Sequence, residues 1–318
     1  MKKYIGLDIG GTKCAAVIGT LSDSFRIEDK ISFPTAGRTP DAILSLFSRF
    51  IESKRKTEDI AGIGIACGGP LDSKRGVIRK PPGLPLWEDI EIVRYFEEAF
   101  AVKTYLQNDA NACAVAEWKY GAGKGCENMI FLTFGTGLGA GLILNGKLYS
   151  GTNDNAGEIG HVRLRKNGPV GYNKAGSCEG FCSGSGIRRL ALIELEKAEK
   201  KGVVPEFLNT VGGKENVTAK TLAEYARKGD PFAEKILKKS GEMFGETLSI
   251  LIDLFNPQKI VVGGVFMRSH DLLLPHAEKV LKKEFLPFSG AVCEIVPAKL
   301  YENIGDVSAL VIAKGDYQ

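Results

Sequence analysis

The residues Asp8-Ile9-Gly10-Gly11-Thr12-Lys13 stand between two short apolar runs, Lys3 to Leu7 and Cys14 to Ile18. This pattern predicts a β-hairpin whose turn is rich in glycine. Because glycine lets backbone N–H groups approach a ligand closely, the turn is a candidate phosphate-binding loop. Asp8, at the end of the first strand, is a candidate ligand of a hydrated Mg²⁺. A glycine-rich hairpin without a ligand is the alternative interpretation of these six residues.

A second glycine turn of the same design lies further along the chain. The apolar run Met129 to Phe134 leads into Gly135-Thr136-Gly137-Leu138-Gly139-Ala140-Gly141, and Leu142 to Leu144 is another short strand. Two hairpins of one design predict a duplicated fold with a nucleotide clamped between the copies. A further glycine pair, Gly263-Gly264, ends the buried strand predicted from Lys259 and is a third candidate contact of the nucleotide.

Length and composition match those of a globular protein. The 318 residues suit two domains, and the shares of 44% hydrophobic and 25% charged residues argue against disorder. A net charge of +4 is too small to predict binding to nucleic acid or to membranes. Since neither a signal peptide nor a run of about 20 apolar residues is recognisable, we expect a cytoplasmic protein. The seven cysteines are an odd number and lie mostly in apolar segments, which favours buried thiols over disulfides.

A carboxylate is predicted at the junction of a strand and a helix in Gln107-Asn108-Asp109-Ala110-Asn111. Val102 to Leu106 has the composition of a strand, and the alanine-rich residues from Ala110 to Tyr120 predict a helix. Asp109 is therefore either a general base that faces a cleft or, like Asn108, a candidate for the helix N-cap. Upstream, the apolar strand Ile60 to Ala66 precedes Gly68-Gly69, at the strand end where α/β sheets place ligands.

Glu158 and His161 are three residues apart in Gly157-Glu158-Ile159-Gly160-His161. On a helical turn their side chains would share a face, and in a tight turn both could point into one pocket. His161 lies next to glycine and near a carboxylate, which favours a role in ligand binding, whereas His270 and His276 lie in a polar helical segment. Residues 163–176 show neither a strand period nor a helix period and predict an irregular segment. A helix is predicted to begin at Ser183-Gly184-Ser185-Gly186.

In their order and spacing, these motifs resemble those of the ROK family of repressors, open reading frames and kinases. The resemblance extends over the whole chain and includes Asn256-Pro257-Gln258-Lys259-Ile260-Val261-Val262-Gly263-Gly264. It implies an α/β, two-lobed actin-like ATPase (ribonuclease H-like) fold with duplicated βββαβα cores and a central cleft for ATP and sugar. We expect a smaller lobe of residues 1–115 with 300–318 and a larger lobe of residues 116–299. The resemblance also suggests a homodimer.

The resemblance assigns roles to individual residues. Asp109 matches the catalytic base of the family, and the two glycine turns match its phosphate loops. Four residues match the side chains that hold the sugar hydroxyls in the family: Asn108, Glu158, His161 and Glu179. Gly69 is a further expected sugar contact. The implied reaction is transfer of the γ-phosphoryl group of ATP, with Mg²⁺, to a hexose. Glucose, with its C6 hydroxyl, is the first expectation, and N-acetylmannosamine, N-acetylglucosamine and fructose are the alternatives.

Two functions other than catalysis are the competing hypotheses. Family repressors carry a helix-turn-helix extension before the glycine hairpin, whereas seven residues precede Asp8 in this sequence, and no basic element for DNA binding is apparent. A sugar-responsive regulator is therefore less expected than a kinase. A non-catalytic module that binds sugar or hydrolyses ATP is the second alternative, and the presence of Asp109 together with both glycine turns argues against it.

The cysteine pattern departs from that of the family. Family kinases usually carry a Cys-x-Cys-x₄-Cys cluster after the histidine, and these four residues bind a structural zinc. Here Ser177 aligns with the third cysteine, and only Cys178 and Cys182 lie nearby. Since a tetrahedral site needs four ligands and His161 with two cysteines supplies at most three, we predict no structural zinc. A rearranged metal site at these three residues is the alternative.

Overall fold

The computed structural model describes residues 2–301 and 303–317. It contains two five-stranded mixed sheets, two short two-stranded sheets and helices packed against them. In chain order, the strands are β1 (Lys3–Ile9), β2 (Lys13–Leu21), β3 (Phe25–Pro34), β4 (Ile60–Cys67), β5 (Leu71–Asp72), β6 (Val77–Ile78), β7 (Thr104–Asn108), β8 (Met129–Phe134), β9 (Leu138–Leu144), β10 (Lys147–Tyr149), β11 (Val170–Gly171), β12 (Lys174–Ala175), β13 (Lys259–Gly264) and β14 (Glu294–Pro297).

Most helices follow groups of these strands along the chain. The helices are α1 (Pro40–Arg55), α2 (Ile92–Phe100), α3 (Asp109–Tyr120), α4 (Cys178–Phe181), α5 (Gly184–Glu199), α6 (Glu206–Val211), α7 (Ala219–Ala226), α8 (Pro231–Phe255), α9 (Phe266–Glu284), α10 (Pro287–Gly290) and α11 (Ile304–Ile312). In the part of the chain that the structure describes, no helix combines the length and the apolar character that crossing a membrane requires.

The first sheet has the strand order β3-β2-β1-β4-β7. β1 pairs antiparallel with β2 and parallel with β4, and β4 pairs parallel with β7. The apolar side chains on one face pack against α1 and α2, where Phe47 and Phe96 are fully buried in the same core cluster. The predicted glycine hairpin is confirmed, because it connects β1 and β2.

Helix α11 packs on the other face of this sheet at very short range. A methyl group on Gly64 would lie 2.2 Å from the carbonyl oxygen of Ala309, and one on Gly6 would lie 2.7 Å from Leu310 N. Glycine at these strand positions therefore lets the helix backbone pack directly on the strand backbone. This contact brings the start of α11 close to the end of β1, since a methyl group on Gly305 would lie 3.3 Å from Asp8 Oδ2.

The second sheet has the order β10-β9-β8-β13-β14. When the strands are numbered by appearance within each sheet, both orders read 3-2-1-4-5, which confirms the predicted duplication. The second glycine turn is shorter than predicted, because Gly139 and Gly141 lie inside β9 and only residues 135–137 form the turn. A methyl group on Gly141 would lie 2.5 Å from Ala110 O, so this glycine permits close packing against α3.

The chain divides into two compact units. Unit 1 comprises Met1–Phe131, Gly141–Gly157 and Lys299–Gln318, and unit 2 comprises Leu132–Ala140 and Glu158–Ala298. The lobe boundaries expected from the sequence, 115/116 and 299/300, stay a prediction.

A buried carboxylate joins two segments of unit 1. Glu117, in α3, is fully buried and accepts hydrogen bonds from the backbone N–H groups of Ala122 at 2.7 Å, Lys299 at 3.2 Å and Leu300 at 2.8 Å. It therefore fixes the segment that leads into α11 against the end of α3. Backbone donors of this kind are costly to leave unpaired once they are out of contact with water.

We expect Glu117→Ala to lower the free energy of unfolding by about 3 kcal/mol, because several buried N–H groups lose their acceptor. Chemical denaturation followed by circular dichroism measures the change. Glu196→Ala, at an exposed position of α5, is the matched control and should change stability by less than about 0.5 kcal/mol. Equal stability of the two variants would show that Glu117 does not hold this junction together.

Candidate active site

The first glycine turn is a tight hairpin in unit 1. Gly10 N donates to Lys13 O at 3.1 Å, so Gly11 and Thr12 form the tip. Both tip residues are exposed and accessible to a ligand. A methyl group on Gly11 would lie 2.8 Å from Gly83 O, so glycine is required where the loop around Gly83 passes the turn.

Asp8 is a half-buried carboxylate at the end of β1 with other charges around it. Burial, and to a lesser extent the carboxylates of Asp109 and Asp306, raise the pKa of Asp8 from 3.8 to about 7, while Lys13 and Lys30 act in the opposite direction. A proton or a metal cation relieves this unfavourable environment. The site therefore has the electrostatics expected of a cation-binding carboxylate.

The ends of β4 and β7 bring three predicted site residues together. The parallel register pairs Cys67 with Asn108, so the residues that follow the two strands lie at one edge of the sheet. A methyl group on Gly69 would lie 3.2 Å from Asn108 Nδ2, and one on Gly68 would lie 3.9 Å from Asp109 Oδ2. Gly69, Asn108 and Asp109 therefore form one cluster in unit 1.

Asn108, rather than Asp109, is the N-cap of α3. Its Oδ1 accepts hydrogen bonds from Ala110 N at 2.9 Å and from Asn111 N at 3.4 Å, and the helix begins at Asp109. Asp109 Oδ1 also accepts from Ala110 N, at 2.8 Å. Since the cap is supplied by its neighbour, the Asp109 carboxylate is not needed to start the helix.

The Asp109 carboxylate is exposed to solvent although many protein atoms surround it. Desolvation by these atoms raises the pKa of Asp109 above 3.8, and the N–H groups of Ala110 and of Asp109 itself oppose the rise. The side chain itself keeps its contact with solvent. No lysine or arginine among the described residues acts on its pKa as a counter-ion. A carboxylate in this state is able to accept a proton.

A buried glutamine that the sequence analysis missed holds this segment in place. Gln107 is 1% exposed, and its Oε1 accepts hydrogen bonds from Asn108 N at 2.8 Å and from Asn111 Nδ2 at 3.1 Å. These bonds tie the end of β7 to the first turn of α3 and so fix the backbone that carries Asp109. The available signal was the pair of amide side chains two residues before and two residues after Asp109.

The second glycine turn lies in unit 2. It contacts two further glycines, Gly184 at the start of α5 and Gly264 at the end of β13. Gly135 N donates to Gly137 O at 3.0 Å, and Gly184 N donates to Gly135 O at 2.8 Å. Gly264 has a left-handed backbone, with φ of 73°, and a methyl group there would lie 2.9 Å from Gly135 N. Gly264 therefore packs directly on the turn, whereas Gly263 is buried within β13.

A pocket of about 310 Å³ opens beside this turn in unit 2. It is lined by the turn and by the starts of α5 and α7, including Gly135, Thr136, Gly184, Ser185, Arg188 and Thr218. The N–H groups at a helix N-terminus attract anions, and Arg188 adds a positive charge. The sequence analysis did not predict Ser185, Arg188 or Thr218. The Ser-Gly-Ser-Gly sequence at the start of α5 could have indicated Ser185 as a site residue, whereas no feature of the neighbouring sequence indicated Thr218.

The three predicted sugar contacts of unit 2 lie around one short turn. Glu158 precedes the 3₁₀ turn Ile159–His161, where His161 N donates to Glu158 O at 3.1 Å, and both side chains are exposed. Glu179 Oε2 accepts a hydrogen bond from Leu138 N at 3.2 Å, directly after the second glycine turn. A methyl group on Gly160 would lie 2.1 Å from Leu138 O and 3.4 Å from Glu179 Cβ, so this glycine lets the two segments meet.

Residues 163–176, predicted to be irregular, are mostly so, but they also contain the short hairpin of β11 and β12, which the sequence did not indicate. Its two tip residues, Tyr172 and Asn173, have left-handed backbones, with φ of 42° and 62°. A two-residue hairpin turn usually has glycine at one of its tip positions, which makes it recognisable in a sequence, but here neither tip residue is glycine.

The two cysteines near this hairpin are buried thiols. Burial raises the pKa of Cys178 to about 11 and that of Cys182 well above 9.0, whereas a metal ligand must be a thiolate. Within residues 2–301 and 303–317, no group of three or more His, Cys, Asp or Glu side chains is arranged to hold a metal ion. The lack of a structural zinc stays a prediction.

We expect Asp8→Asn to stabilise the protein at neutral pH. With a pKa near 7 when folded and 3.8 when unfolded, Asp8 binds its proton more tightly in the folded state, so its favourable contribution is complete below pH 3.8 and is lost as the pH rises to 7. The stability difference should grow from near zero at pH 4 to about 2 to 4 kcal/mol at pH 7.5. Denaturation curves of both proteins across this range measure it, with the exposed Asp59→Asn as control. A difference that does not vary with pH would contradict the assignment.

We expect purified protein to hold far less than one zinc ion per chain after expression with zinc in excess, because Cys178 and Cys182 are protonated and buried. Elemental analysis after dialysis measures the content. One zinc per chain that is retained through dialysis and lost in Cys178→Ser would overturn this prediction and establish a rearranged site.

Comparison with known proteins identifies the relatives of this chain. Residues 4–316 match the model of the ROK family. A glucokinase from Thermotoga maritima is 30% identical over 315 residues, which cover 98% of this chain and 97% of that protein. The N-acetylglucosamine repressor of Escherichia coli is 30% identical over 317 residues, which cover 98% of this chain and 75% of that protein.

The solved structures give the same answer. The crystal structure of a ROK family glucokinase from Streptomyces griseus in complex with glucose and AMPPNP matches with a TM-score of 0.78 and 28% sequence identity, covering 98% of this chain and 99% of that chain. ROK sugar kinase structures have the actin-like ATPase fold, which confirms the predicted fold class. With a family match over nearly its whole length, the chain belongs to the ROK family.

Proposed function

We propose that the chain is an ATP-dependent hexose kinase that transfers the γ-phosphoryl group of ATP to the C6 hydroxyl of glucose, with Asp109 as the general base. The observation that carries the proposal is the Asp109 carboxylate, placed beside the Asn108 cap and without a counter-ion among the residues that the structure describes. The similarity to glucokinases supports glucose as the acceptor.

Asp109 acts on the proton of the attacking hydroxyl. As the sugar oxygen bonds to the γ-phosphorus, the bond from that phosphorus to the bridging oxygen breaks, ADP leaves and the hydroxyl proton passes to the carboxylate. Asn108 N donates to Gln107 Oε1 and Ala110 N donates to Asn108 Oδ1, so the backbone on either side of Asp109 is fixed and the base keeps its position. Such positioning is the main contribution of a protein to phosphoryl transfer.

The glycine turns bind the phosphates in this proposal. The exposed tip of the first turn offers backbone N–H groups and the Thr12 hydroxyl, and Lys13 adds a positive charge. In unit 2, Thr136 and the start of α5 line the pocket beside the second turn, and Gly264 packs against that turn. Donors that are already aimed at the phosphates need no rearrangement when charge develops.

The residues around Asp8 fit a hydrated Mg²⁺. A half-buried carboxylate with a pKa near 7 gains from a nearby divalent cation, which favours its ionised form. When bound, Mg²⁺ neutralises charge on the phosphate oxygens. Asp8 would hold the ion through water, and Asp306 lies close enough to Asp8 to raise its pKa and so adds to the negative field.

The proposed sugar contacts are the five residues expected from the sequence. Asn108 and Gly69 lie beside the base, and Glu158, His161 and Glu179 supply acceptors and donors for hydroxyl groups. Half-buried polar side chains such as those of Asn108 and Glu179 disfavour a sugar that lacks the matching hydroxyl. An N-acetylhexosamine is the second candidate substrate, since the N-acetylglucosamine repressor is also 30% identical.

The same repressor makes a sugar-responsive regulator the second candidate function. A regulator would bind a sugar without releasing ADP, which separates the two functions in a single assay. A homodimer, which the family resemblance suggests, and a cytoplasmic location, which the sequence predicts, are also part of the proposal.

A panel of hexoses tests the proposal. With ATP and Mg²⁺, we expect sugar-dependent release of ADP, with the highest kcat/KM for glucose among glucose, fructose, mannose, N-acetylglucosamine and N-acetylmannosamine. Preference for an N-acetylhexosamine would correct the substrate. The absence of sugar-dependent ADP release with every member of the panel would overturn the kinase assignment.

We expect Asp109→Asn to lower kcat by about 10²- to 10⁴-fold while sugar binding, measured by calorimetry, changes by less than about threefold. The amide keeps the size and much of the hydrogen bonding of the carboxylate but does not accept the proton. Asp59→Asn, at an exposed position, is the control and should keep the wild-type kcat. A kcat of Asp109→Asn near that of the wild type would rule out Asp109 as the base.

A further inference from the structure

The short hairpin of β11 and β12 carries an exposed tyrosine in a strained backbone. Tyr172 has a left-handed φ of 42° and is 58% exposed. Bulky residues avoid this backbone region, and surrounding structure or function has to maintain it. Asparagine or glycine would form the same turn with less strain, so the turn itself does not explain the tyrosine.

The hairpin contacts His161 in two ways. The rings of Tyr172 and His161 lie 5.9 Å apart between centroids, with their planes at 72°, which is an edge-to-face contact. Lys174, on the second strand of the hairpin, donates from Nζ to the carbonyl oxygen of His161 at 2.8 Å. Both the ring and the backbone of His161 are therefore held by this hairpin.

The same hairpin is packed against the helical turn that carries Glu179. A methyl group on Gly171 would lie 2.5 Å from Gly180 N and 2.8 Å from Glu179 Cβ, so the backbone of β11 lies directly on α4. Gly180 in turn leaves no room for a methyl group, which would lie 2.2 Å from Pro169 O. One small element thus contacts two of the residues to which we assign sugar binding.

We propose that Tyr172 is a positioning residue of the hexose site. Its ring orients the imidazole of His161, and the exposed side of the ring lines the site. The inference rests on the proposed function, because it takes His161 as a sugar contact. The exposed part of the ring offers an apolar surface to the C–H groups of a hexose, while the edge-to-face contact restricts the imidazole. The proposal explains why an exposed, strained position holds an aromatic residue.

Tyr172→Asn tests the proposal, because asparagine accepts the left-handed backbone and so preserves the turn while it removes the ring. We expect the KM for the hexose to rise about tenfold, with kcat and the KM for ATP within about twofold of the wild type. Tyr172→Phe keeps the ring and should therefore keep the wild-type KM for the hexose. Tyr149→Asn, at a tyrosine that is 51% exposed on β10, is the matched control.

A second readout does not depend on activity. The chain has three histidines, so the imidazole resonances of labelled protein are few and His161→Asn assigns the one of interest. Tyr172→Asn should shift the His161 resonance, and Tyr172→Phe should leave it near its wild-type position. An unshifted resonance, or a hexose KM within twofold of the wild type in Tyr172→Asn, would overturn the inference while leaving the kinase proposal intact. Failure of the wild-type protein to bind any hexose would overturn the proposed function, and with it the sugar contact of Tyr172.

Discussion

The parallel pairing of β1, β4 and β7 is the constraint on which the candidate site in unit 1 depends. Parallel strands end at the same edge of a sheet, so the register that pairs Asp8 with Ala66 and Cys67 with Asn108 places three strand ends side by side. The chain puts the Asp8 carboxylate near the end of the first strand, a glycine pair after the second and Asn108-Asp109 at the end of the third. A shift of one residue in either register would separate these groups.

The carboxylates at this edge of the sheet destabilise one another's ionised forms. Asp8 has a raised pKa because burial and two other carboxylates disfavour its ionised form, and one of these, Asp306, is paired with Lys30 at 2.6 Å. Close packing of α11 on Gly6 and Gly64 holds Asp306 in this position. A fold selected for stability alone would not collect these carboxylates, whereas a site for phosphates and a divalent cation gains from them.

Much of this arrangement was predictable from the sequence, for local reasons. The hairpin at Asp8 to Lys13, the duplicated turn at Gly135 and the strand end at Asp109 each combine an apolar run with glycine or a capping residue, and these signals lie within a few residues. The choice between Asn108 and Asp109 as N-cap was left open, because both side chains suit the position and the structure decides by hydrogen-bond geometry. Two features escaped prediction. The hairpin at Tyr172 has two-residue strands and no glycine at its tip, and the pocket beside Gly135 is assembled from helix starts that are far apart in sequence.

The central claim is that Asp109 takes the proton of the attacking hexose hydroxyl. A crystal structure with glucose and a non-hydrolysable ATP analogue tests it most directly, through the distance from the Asp109 carboxylate to the C6 hydroxyl oxygen. The account predicts a separation of about 2.6 to 3.2 Å, with that oxygen also facing the γ-phosphorus. A glucose molecule bound with its C6 hydroxyl beyond about 5 Å from Asp109, without a single bridging water, would contradict it.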